Sequence, residues 1–117
     1  MSRESAIDAA LEWFDEGGFL ETLAERVAVP TESQNPERLP ELARYLDEQM
    51  IPAFEAMGFE THVYPNPVAG GGPVLLAIRH EDDTRPTVLG YGHGDVIRGQ
   101  EGRWAEGRDP WTLDRAG

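Results

Sequence analysis

The apolar period of the chain changes at Gly58. Before it, Leu39, Leu42, Leu46, Met50, Ala53, Phe54 and Met57 recur at helical spacing; after it, Phe59, Thr61, Val63 and Pro65 alternate with Glu60, His62 and Tyr64. Side chains three and four apart share one face of a helix, and residues two apart share one face of a strand. A long helix over 39–57 therefore hands over to a half-buried strand, with Gly58 placed where a left-handed helix cap belongs. Within the helix Pro52 lacks the N–H its turn needs, and a kink is expected there.

The same reasoning divides the rest. Ile7, Ala10, Leu11 and Phe14 mark a first helix from about Glu4 to Glu16, stopped by Gly17-Gly18. Phe19, Leu20, Leu23, Ala24 and Val27 continue as a second, shorter helix up to Pro30, because a residue before proline avoids the helical region. Asn66 to Pro73, with two prolines and three consecutive glycines, is a loop or turn. Val74–Ile78 is a continuous apolar strand, His80–Arg85 a polar turn, and Thr87–Tyr91 an apolar run expected to lie in the middle of a covered sheet. Trp111–Asp114 reads as a further strand that enters a turn at Arg115-Ala116-Gly117. Together these elements imply an α/β fold in which helices pack on a mixed sheet. The 39–57 helix would cover one face, and the strand ending at His93 would be central.

Charge and composition narrow the partners. Acidic residues number 22 against 10 basic ones, a net charge of −12, and every basic residue is arginine. Nucleic acids and anionic membranes both need a cationic face, so neither is expected as a partner. With no cysteine, disulfides and thiolate metal ligands are excluded, leaving His and carboxylates as the only strong metal donors. The Met-Ser-Arg-Glu-Ser start has no signal-peptide core, and no apolar run is long enough to span a bilayer; cytoplasmic residence is expected. At 117 residues with 39% hydrophobic content, one small domain with a modest core is affordable.

Chemistry concentrates in Thr87-Val-Leu-Gly-Tyr-Gly-His-Gly-Asp-Val96. In an extended segment His93 and Asp95 point to the same side, which sets an imidazole beside a carboxylate. Gly90, Gly92 and Gly94 leave little bulk around the pair, suiting close approach of a metal ion or substrate. A bare His-x-Asp is nonspecific, and its bland reading is a histidine hydrogen-bonded to a neighbour. His62 and His80 lie on polar faces. Trp104 and Trp111 suit either a substrate cleft or the pinning of a glycine-rich loop to the core. Gly70-Gly71-Gly72 lacks the following helix and lysine of a phosphate loop.

The surroundings of the pair extend the signal. Val88-Leu89-Gly90-Tyr91-Gly92-His93-Gly94-Asp95-Val96, then Trp104, then Asp109-Pro110-Trp111 resembles a block of the co-catalytic zinc amidohydrolases and exopeptidases, which include carboxypeptidase G, aminoacylase, acetylornithine deacetylase and succinyl-diaminopimelate desuccinylase. Arg26–Ser33 resembles the family segment that closes its first helical region, and Met57–Glu60 the helix end before its first strand. Gly94 departs from the bulkier residues often found there. The resemblance implies that His93 ligates one of two zinc ions, with cobalt or manganese as substitutes, and that Asp95 holds the imidazole from behind without binding metal itself. It implies a hydrolase that cleaves the amide bond of a peptide or N-acyl amino acid, and a homodimer formed through a separate domain. It also implies that residues 1–117 are the amino-terminal segment of a catalytic domain, because the family's bridging Asp, Glu-Glu pair and later ligands have no counterpart here; the fragment alone is expected to be inactive. Two rivals stand beside it: a non-catalytic α/β binding or interaction module, and an unrelated metal-independent domain, His93 being structural in the latter.

Overall fold

The computed structural model describes residues 1–115, and in it helices precede a small two-stranded antiparallel sheet, a mixed α and β arrangement. Helix α1 runs Arg3–Asp15 and α2 Gly18–Val27. Ser2 and Ser5 cap α1 reciprocally, each side chain accepting from the other's backbone N–H, which satisfies two orphan donors of the first turn. After a 3₁₀ turn at Pro36–Arg38, α3 (Leu39–Tyr45) and α4 (Ile51–Ala56) are joined by a single π turn over Leu46–Met50. This is how the chain accommodates Pro52. With no proline N–H to reach the carbonyl four residues back, the ladder widens locally, and Ile51 N–H bonds to the Leu46 carbonyl instead. Gly58 takes φ +81°, the left-handed conformation its position demands.

Strands β1 (Glu60–Tyr64) and β2 (Val74–Ile78) pair antiparallel with Val63 opposite Leu75 and Thr61 opposite Ala77. Thr61 Oγ1 donates to Glu55 Oε1 of α4 at 2.9 Å, which ties the end of α4 to β1. On the other face, Val74, Leu76 and Ile78 are exposed beside Tyr64, His62 and Glu60.

Two expected strands do not form. Thr87–Tyr91 has no regular secondary structure and no ladder partner among the described residues, and Val88 and Leu89 are each 90% exposed. An apolar run becomes a central strand only when neighbours take up its backbone groups and cover both faces, and β1 and β2 pair only with each other. Pro86, which cannot donate, and the glycines at 90 and 92 weaken strand formation further. Trp111–Asp114 is likewise irregular: Asp109 Oδ1 accepts from Trp111 N–H at 2.8 Å, a side-chain turn that takes the place of strand geometry. The expected turn at Arg115-Ala116-Gly117 lies in part outside the described residues.

Burial centres on one short segment. Val29 (3% exposed) and Leu42 (8%) are buried, as is Pro30, and the buried polar residues Thr31 and Glu32 lie two and three positions beyond Val29. Deepest packing therefore sits where α2 ends and the chain turns back toward residues 94–99.

Candidate functional site

Residues 31–34 form a bracket for the His93 loop. Thr31 Oγ1 donates to the Gly94 carbonyl at 2.6 Å, Val96 N–H to the Thr31 carbonyl at 2.9 Å, and Ser33 N–H to the Val96 carbonyl at 2.8 Å, making a parallel bridge between Glu32 and Val96. Arg98 Nη2 adds a bond to the Gln34 carbonyl at 2.8 Å. These contacts span more than sixty positions of sequence. They fix the backbone on the carboxyl side of His93 although no regular sheet holds it.

Glu32 anchors the bracket. Only 4% exposed, its carboxylate accepts Gly99 N–H at 2.7 Å through Oε1 and Asn35 Nδ2 at 3.1 Å through Oε2, with Arg38 Nε 3.6 Å from Oε2. A buried carboxylate is tolerable only when its lone pairs are taken up in this way. Sequence reasoning missed Glu32 along with Arg38, because the Gly99 N–H that fixes its carboxylate is brought in only by the bracket, 67 positions away.

The His93–Asp95 pair forms. Asp95 Oδ1 lies 3.2 Å from His93 Nδ1 and the Asp95 carbonyl 3.3 Å from the same nitrogen, so Nδ1–H has two acceptors in reach. Nε2 has no hydrogen bond among the described residues, and the side chains are 63% and 44% exposed. The Tyr91 ring, two positions earlier, sits 6.2 Å from the imidazole at a 30° tilt. The three glycines of the loop differ in role. Gly90 and Gly92 face open space, whereas a Cβ at Gly94 would overlap the Tyr45 ring of α3. A side chain at Gly94 would therefore require the Tyr45 ring to shift.

The remaining sequence candidates stay apart from this pair. His62 Nε2 meets Glu60 Oε1 at 2.9 Å, and His80 Nε2 meets Asp83 Oδ1 at 3.2 Å. Trp104 Nε1 donates to the Gly99 carbonyl at 2.8 Å and Trp111 Nε1 to Glu101 Oε1 at 2.7 Å, and the Trp111 ring lies over Gly99. Both indoles tie residues 99–111 together. The Glu101 carboxyl is held below the usual glutamate range by its own backbone N–H first and by the Trp111 indole second.

Among the described residues no three His, Cys, Asp or Glu side chains gather as a metal cluster, and no helix is long and apolar enough to cross a membrane. A hollow of about 620 Å³, open to solvent, is lined by Glu32, Asn35, Glu37, Arg38, Arg98, Gln100, Glu101 and Arg103; His93 and Asp95 do not line it. No protein-family profile, characterised protein or solved structure matches the chain.

Proposed function

We propose that His93, supported by Asp95, ligates zinc in a hydrolase that cleaves the amide bond of a peptide or N-acyl amino acid, the chain forming the amino-terminal part of its catalytic domain. The observation that carries this reading is the division of labour on the imidazole. Nδ1 faces the Asp95 carboxylate at 3.2 Å, while Nε2 has no hydrogen bond among the described residues, on an exposed ring. Such a carboxylate fixes the tautomer that presents Nε2 as a lone-pair donor and makes it a better one. The Thr87–Trp111 block supplies the reaction class through its resemblance to the co-catalytic zinc enzymes. Zinc bound there would polarise an amide carbonyl and acidify a water. Within this chain His93 is the ligand and Asp95 its positioning residue; Gly90 and Gly92 on the same loop face open space. Cytoplasmic residence belongs to the same reading.

Zinc titration followed on the imidazole nitrogens by NMR tests it. Shifts should localise to Nε2 of His93, and Asp95→Asn should weaken binding by roughly 10- to 100-fold. Zinc responses that survive His93→Ala unchanged overturn the assignment. The 117-residue chain should not turn over N-acyl amino acids or dipeptides on its own, since a catalytic zinc ordinarily keeps about three protein ligands.

A further inference from the structure

We propose that the hollow bounded by Arg38, Arg98 and Arg103 is a binding site for a small oxyanion, a carboxylate or a phosphate, separate from the His93 pair and independent of the zinc reading. Three of the chain's 10 basic residues meet around one cavity of about 620 Å³, on a protein whose net charge of −12 otherwise repels anions. A neighbouring hollow of about 380 Å³ shares Arg98 and Arg103 and adds Trp104, so these two arginines border both spaces.

The balance of partners decides what the cavity can hold. Of the three lining carboxylates, Glu32 is committed to Gly99 N–H, Asn35 and Arg38, and Glu101 accepts from the Trp111 indole. Arg38 faces the charges of Glu32 and Glu101, whereas the other two guanidinium groups are much less used. Arg98 gives one bond, to the Gln34 carbonyl, and the Arg103 side chain makes no hydrogen bond or ion pair among the described residues. Each guanidinium carries several N–H donors in a planar fork matched to carboxylate and phosphate oxygens, so the cavity holds a surplus of donors. The bracket explains why the surplus stays in place. Gly99, next to Arg98, is clamped by buried Glu32, and Arg103 N–H closes a turn onto the Gln100 carbonyl at 3.1 Å. Glu37 is the third lining carboxylate and has no side-chain partner among the described residues; its charge opposes an anion.

The test is titration of the 117-residue chain with sodium phosphate and, separately, sodium succinate at constant ionic strength, read from the backbone amides of residues 98–104 and the arginine Nε–H signals. Saturable shifts are expected there. Arg103→Gln, which breaks no bond in the fold, and Arg98→Gln should each weaken binding about tenfold, the scale of a charge-assisted hydrogen bond. Glu37→Gln should tighten it. Arg44→Gln should leave it unchanged, because Arg44 sits on α3 between Glu41 and Glu48 and does not line the cavity. Saturation by succinate alone or by phosphate alone supports the site and names the source of its oxyanion. Shifts that do not saturate, binding that survives Arg103→Gln, or an equal loss in Arg44→Gln shows only the general attraction of arginine for anions and overturns the proposal.

Discussion

Gly94 packs against the Tyr45 ring so closely that a Cβ would overlap Cε1, while its carbonyl accepts the Thr31 hydroxyl at 2.6 Å from the other side. The residue between His93 and Asp95 is thereby held from two directions, by α3 and by the bracket. Overfilling such a contact forces the ring or the loop to move, at a cost of about 1–3 kcal/mol. Gly94→Ala is expected to lower stability by that amount in urea unfolding, and Tyr45→Ala should remove much of the penalty in the double variant. Additive effects of the two substitutions count against the contact as the cause.

Glu32 gives a second test of the bracket. Glu32→Ala leaves Gly99 N–H buried without an acceptor, which costs about 1–3 kcal/mol. Glu32→Gln keeps an amide oxygen for Gly99 but turns an NH₂ toward Asn35 and loses the charge that faces Arg38, so its cost should be smaller. Hydrogen exchange at the Gly99 amide should speed up markedly in the alanine variant. Unchanged protection there is incompatible with the 2.7 Å bond to Oε1.

What could be read from the sequence was local. The Leu39–Met57 stripe, the disturbance at Pro52 and the positive φ of Gly58 all follow from residues within a turn or two of one another, and the structure reproduces them with the π turn as the added detail. The His93–Asp95 contact was legible for the same reason, since residues two apart in extended chain share a side. Thr87–Tyr91 failed because an apolar run records a need for cover and cannot say whether cover is present. Glu32 and the arginine-lined hollow were invisible because both depend on residues 31–38 meeting 94–103, a pairing that no periodicity encodes.

Exposed Val88, Leu89 and Tyr91, together with Val74, Leu76 and Ile78 on β2, present apolar surface beside unpaired backbone, a combination that promotes association. The chain should sediment as concentration-dependent oligomers. Leu89→Ser with Val88→Ser should shift the distribution toward monomer without changing the helical signal in circular dichroism. A monomer at all concentrations, insensitive to these substitutions, contradicts the expectation.

The Glu101–Trp111 bond sets a pH dependence whose sign follows from its cause. Glu101's own backbone N–H, and after it the Trp111 indole, favour the ionised carboxyl, so its folded pKa lies below that of the unfolded chain. The stabilisation is therefore fully present above the ordinary glutamate value of about 4.3 and is lost as pH falls through the lower, folded value. Trp111 fluorescence should change over that acid range as the carboxylate at 2.7 Å from its indole nitrogen is protonated. Trp111→Phe removes one of the two donors, and the Glu101 carboxyl resonance should then titrate at higher pH, closer to an unperturbed glutamate. If its midpoint stays where it is in the parent protein, the indole contributes nothing to the ionised state.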